Sequence, residues 1–161
     1  MRSLTLHRFL ALSFLATGVT TAAAAQTPDP ILGTWILNVA KSKYTPGPGP
    51  KSETRTYVIS GGVITASNTI VDATGKSVPG TWTVVYDSKY RAMTGDEDAD
   101  SLSVKRVDAH HYEFSEKKGN KVVVTGTRVI AADGKSMTIT TKGTNAKGQA
   151  FTDVVVYDKK G

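Results

Sequence analysis

The chain predicts an all-β fold, an antiparallel up-and-down meander that closes into a barrel, and three observations predict it. From Ile31 onward, alternating apolar and polar runs of about seven to ten residues are separated by glycine-bearing turns, a spacing that suits strands. Hardly any stretch is left over that has the period of a helix. The runs number about nine, close to the eight to ten strands of barrels that hold ligands.

The first residues stand outside that pattern. Arg2 and Arg8 flank the start of an apolar stretch, Phe9 to Ala16, and a small-residue run ends at Ala22-Ala23-Ala24-Ala25. A basic start, an apolar core short of the roughly 20 residues that span a bilayer, and an Ala-x-Ala exit read as a secretory leader cleaved after Ala25. Residues 1–25 are then a signal peptide and 26–161 a single domain, expected in a bacterial periplasm or outside the cell. Cys is absent, which excludes a disulfide scaffold, thiol redox chemistry, a Cys nucleophile and a lipid-modified leader. The net charge of +6 becomes +4 once Arg2 and Arg8 are removed. The lysines are spread among turns, so no basic face for nucleic acid is expected.

Within the domain, Thr27-Pro28-Asp29-Pro30 is a stiff lead-in, because each proline fixes its own φ. The first strand is predicted over Gly33 to Val39, with Trp35, Leu37 and Val39 sharing one face. Pro46-Gly47-Pro48-Gly49-Pro50 can neither pair centrally nor coil, so it reads as a loop across a barrel end, the one connection long enough to be a lid. Thr54 to Ser60 and Val63 to Val71 flank Gly61-Gly62, whose glycines accept the positive φ of a two-residue hairpin turn. Six more strands are predicted over Val78 to Tyr86, Ser101 to Val107, Tyr112 to Glu116, Lys121 to Ile130, Met137 to Lys142 and Phe151 to Tyr157. Each follows a turn rich in Asp, Asn, Gly or Lys.

The motif Gly33-Thr34-Trp35, preceded by Pro30-Ile31-Leu32 and followed by this meander, resembles the calycin superfamily, in particular lipocalin-like small secreted bacterial proteins of unassigned function. The phrasing from Gly33 to Lys43, from Asp133 to Thr138 and from Lys142 to Asn145 is similar to that group over most of the mature chain. The resemblance implies a lipocalin-like barrel whose Gly-x-Trp tryptophan plugs the closed end under a basic side chain from a late strand. Gly33, Trp35 and Arg128 are accordingly the structural residues expected, with Arg128 over the Trp35 ring and Arg106 as the second choice. A guanidinium over an indole is worth about 1 kcal/mol or more when desolvated.

Catalytic and metal chemistry find little footing. Asp96-Glu97-Asp98-Ala99-Asp100 places carboxylates at positions 1, 3 and 5 of a calcium loop, but Ser101 replaces the turn glycine and Val107 the bidentate Glu. A solvated acidic loop is expected. His110 and His111 are adjacent, face opposite ways on a strand and read as turn residues. No Gly-x-Ser-x-Gly elbow and no phosphate- or dinucleotide-binding glycine motif occurs. No enzyme activity, cofactor or metal is expected.

What remains is a ligand. Trp82, Tyr86, Tyr112, Phe114, Phe151 and Tyr157 lie in predicted strands and are the candidate lining of a site for a small apolar or amphipathic molecule. Thr54, Thr56, Thr65, Thr138 and Thr140 either add polar lining or form the outer face, since a one-residue change of register exchanges the two. The alternative is a packed barrel with no ligand, serving as an envelope interaction or structural module. An interior pocket of about 300 Å³ or more favours the carrier, and a filled core the module.

Overall fold

The computed structural model describes residues 28–161; the expected leader lies outside them. Eleven strands hold more than half of the described residues: β1 (Gly33–Leu37), β2 (Lys43–Thr45), β3 (Ser52–Ser60), β4 (Val63–Val71), β5 (Ser77–Val84), β6 (Arg91–Ala92), β7 (Ser101–Arg106), β8 (His111–Lys118), β9 (Lys121–Ile130), β10 (Ser136–Thr144) and β11 (Ala150–Lys159). Among the described residues the only helical element is a 3-10 turn at Val39–Lys41. It ends the first strand two residues earlier than predicted, because the Asn38 side chain accepts from the Lys41 N–H and turns the chain. Two short strands, β2 and β6, escape the sequence pattern because they are too short to alternate visibly. No helix among the described residues is long and apolar enough to cross a membrane.

The strands lie side by side in the order β5, β4, β3, β1, β11, β10, β9, β8, β7, β6, with β2 added to β11. All pairings are antiparallel, and from β3 onward each strand neighbours its successor, while β1 slots between β3 and β11 and β2 pairs with β11 alone. The ring closes between β5 and β6 through a Trp82–Met93 bridge and a hydrogen bond from the Thr94 N–H to the Thr81 carbonyl at 3.0 Å. Glycine permits that seam. A Cβ on Gly80 would stand 2.7 Å from the Thr94 carbonyl oxygen, and Gly95, with φ +83°, packs its backbone against Gly80. The expected antiparallel meander closing into a barrel of eight to ten strands is therefore the fold observed, with ten strands in the ring.

One end is closed. The lead-in crosses it, with Ile31 fully buried and the Asp29 carboxylate accepting from Tyr86 Oη at 2.8 Å and Tyr112 Oη at 2.9 Å. Trp35 lies beneath, fully buried, and its Nε1 donates to the Ile31 carbonyl at 2.8 Å. Gly33 has φ +111°, and a Cβ there would press on Lys159 Cε at 3.0 Å. The expected partner of Trp35 is corrected here: the cation over its ring is Lys159, with Nζ 4.9 Å from the centroid. Register is the reason. Lys159 is the direct cross-strand neighbour of Trp35, whereas Arg128 lies two residues deeper on β9 than Ile130, over Tyr57 and Phe114. Arg106 is also elsewhere, over Tyr86 and Tyr112.

The five threonines resolve to the outer face. Their neighbours Glu53, Tyr57, Ile64, Ala66, Met137 and Ile139 are the buried, inward set, and strand residues alternate.

Candidate functional site

Alternation on β3 sends Glu53, Arg55 and Tyr57 inward together, so two charges enter the barrel on one strand. Glu53 is saturated: Oε1 accepts from Arg55 Nε and from Asn68 Nδ2 at 2.8 Å, and Oε2 accepts from Tyr157 Oη at 2.6 Å. Burial alone would raise its carboxyl. The Arg55 guanidinium and the three hydrogen bonds outweigh that and hold it below the ordinary carboxylate value. Arg55 also stacks against aromatic faces, its Cζ 5.1 Å from the Tyr157 ring and 5.6 Å from Trp82.

The second interior arginine is treated differently. Arg128 is only 3% exposed, and its Nε and Nη1 have no hydrogen-bond partner. It rests on aromatic faces, Cζ 5.5 Å from Tyr57 and 5.8 Å from Phe114. Trp82 Nε1 and Tyr57 Oη are also buried without a partner, and these two rings meet edge to face at 6.0 Å. Four unused polar atoms thus sit within one layer of touching side chains. A buried donor left unmade costs about 1–3 kcal/mol, and an unpaired buried charge more.

Arg128 and Trp82 line an interior cavity of about 110 Å³, together with Arg55, Asn68, Asp96 and Glu116, and with Phe114, Leu102 and Ile139 as its apolar wall. The connection from β6 to β7 walls it through Met93, Thr94 and Gly95. The ladder between β8 and β9 shifts register at Glu116, which re-aims that part of the wall. Burial and the neighbouring Asp96 push the Glu116 carboxyl up to about 7, against the pull of Arg55 and Arg128. A cavity of about 150 Å³ holds benzene, so this one has room for no more than a few heavy atoms.

Of the six aromatic residues expected to line the site, Trp82 and Phe114 do so. Tyr157 packs just behind, holding Glu53. Tyr86 and Tyr112 do not reach the cavity, because their hydroxyls are committed to Asp29 at the closed end. Burial and the Asp29 carboxylate push both phenols far up, so they remain protonated donors. Phe151 covers Gly143 at the far end and lines a shallow outer hollow between the β8–β9 and β10–β11 hairpins. Pro46–Pro50 contributes no residue to the cavity wall. Arg55, Glu53, Asn68 and Glu116 were missed, although Glu53 and Arg55 share the parity of Tyr57, and Glu116 that of Phe114.

The acidic run is largely exposed, as expected, with Asp96, Glu97 and Asp100 on the surface and Asp98 half-buried. Asp98 Oδ1 accepts from the Ala146 N–H and Asp100 Oδ2 from the Gly119 N–H, both at 2.7 Å, so these carboxylates tie neighbouring loops together. Among the described residues no three His, Asp or Glu side chains gather to hold a metal ion. Of the two expected turn histidines His110 lies in the turn and His111 opens β8; the Asp108 carboxylate accepts both backbone N–H groups and meets His111 Nδ1 at 2.8 Å. A larger concavity, about 740 Å³, lies on the outer face of β7 to β11 under Tyr90. It is open and lined mainly by Ser and Thr hydroxyls, and no buried polar group within it lacks a partner.

No protein-family profile and no curated protein matches the chain. Among solved structures it is similar to the zebrafish ileal bile acid-binding protein complexed with cholic acid, at 14% identity and a TM-score of 0.48, over 81% of this chain and 99% of that one. A likeness so distant says nothing of what this chain binds.

Proposed function

We propose that the mature chain is a secreted or periplasmic bacterial binding protein, not an enzyme, that holds a small amphipathic molecule by an anionic group inside the barrel. The observation that carries this reading is Arg128, a buried guanidinium that no carboxylate pairs with among the described residues and that lines one cavity with Trp82. Water can satisfy an N–H but does not neutralise a buried cation. A carboxylate does both, setting a negative oxygen against the Arg128 guanidinium. The size of the cavity sets the rest: at 110 Å³ it takes a short chain, not a bulky apolar ligand.

The test is calorimetric titration with butyrate. The native chain is expected to bind at one site, and Arg128→Met to lose at least tenfold in affinity. That variant is also expected to gain about 1–3 kcal/mol of stability without ligand, because it removes an unpartnered buried charge and leaves the volume filled. Loss of stability in Arg128→Met would show the arginine to be structural. A second reading, the packed module acting through its surface, is favoured by the interior volume, which lies below the roughly 300 Å³ of common ligand pockets. Absence of butyrate binding by the native chain would leave that reading standing.

A further inference from the structure

The interior charges do not balance without a proton. Glu53 and Arg55 form a closed pair, saturated by Asn68 and Tyr157. The other charged groups of the cavity are Arg128 from β9, Glu116 from β8 and Asp96 from the β6–β7 connection, and Leu102 is the β7 residue facing them. Among the described residues no ion pair joins Arg128 to either carboxylate. Lys118 and Asp98 act on Asp96 from outside the wall.

Resting on the anion site proposed above, we infer that this cavity takes up a proton on Glu116 together with its anionic ligand, so that the protein loads in acid and releases as the medium turns alkaline. The argument is one of shared space. A carboxylate seated on Arg128 puts a second negative charge in the 110 Å³ that Glu116 already faces, and it draws off the arginine field that favours ionised Glu116. Protonated, Glu116 ceases to repel the ligand and offers it an O–H donor. The group is poised for this exchange, since burial and Asp96 already place its titration near neutrality. Linkage then fixes the sign: ligand favours the protonated carboxyl, and the protonated carboxyl favours ligand to the same degree.

The experiment is titration with butyrate, ionised throughout, at several pH values from 6 to 9, on the native chain and on Glu116→Gln. Repetition at one pH in buffers of different ionisation enthalpy counts the protons taken up. In the native chain Kd is expected to be nearly flat below Glu116's titration and to rise by about tenfold per pH unit above it, with uptake approaching one proton. Glu116→Gln keeps the shape and a donor, so its Kd is expected to stay within about twofold across the range. A pH-independent Kd in the native chain, with binding still lost in Arg128→Met, would overturn the proton linkage and leave the anion site intact. A steep profile that survives in Glu116→Gln would overturn the assignment to that residue. No binding of butyrate at any pH would overturn both readings.

Discussion

Trp35→Ala is expected to destabilise the barrel by about 3–5 kcal/mol. The indole is fully buried beneath the lead-in, and its removal leaves a cavity at the closed end that the rigid strands around it cannot fill. Two further losses add to the cavity: the Ile31 carbonyl loses the Nε1 donor at 2.8 Å, and Lys159 loses the ring face beneath its ammonium. Ile31 and Asp29, which seal that end against Tyr86 and Tyr112, lose their floor with it. Chemical denaturation measures the change. A shift equivalent to less than about 1 kcal/mol would show that the plug does not hold the end closed.

Glu53→Ala is expected to cost a similar amount, about 3–5 kcal/mol near pH 7. The carboxylate is 3% exposed and receives Arg55, Asn68 and Tyr157, so truncation leaves a guanidinium and two donors uncompensated inside the barrel. The effect is pH-dependent, and its sign follows from the environment. The folded carboxyl lies below its ordinary 4.5, so its contribution is complete above that value and is lost as the pH falls through the folded value. The gap between native chain and variant should therefore narrow on acidification from pH 7 to pH 3. A gap that stays constant over that range would show that the ionised form of Glu53 is not what the barrel stabilises.

These two residues also mark what was legible in the sequence. Trp35 was visible because Gly-x-Trp opens a strand and the turns that follow force a meander, so the barrel could be read from local chemistry and the plug from the resemblance that the motif carries. Its cation was not visible, because the choice between Arg128 and Lys159 depends on the register between the first strand and the last, which no local pattern encodes. Glu53 was missed because a charged residue at a strand start reads as solvated, and only the ring of ten strands reveals that its parity points inward. The same blindness hid Arg55 and Glu116. Tyr86 and Tyr112 misled for the opposite reason: aromatic residues in strands suggest a lining, but their hydroxyls serve Asp29, a residue of the lead-in far away in sequence.

The most direct test of the anion site is to watch its two free donors by NMR as butyrate is added. The side-chain N–H signals of Arg128 Nε and Trp82 Nε1 are expected to shift together and saturate, while Trp35 Nε1, already bonded to the Ile31 carbonyl, stays in place. If saturating butyrate leaves both Arg128 and Trp82 unmoved, the interior cavity is not where this protein meets an anion.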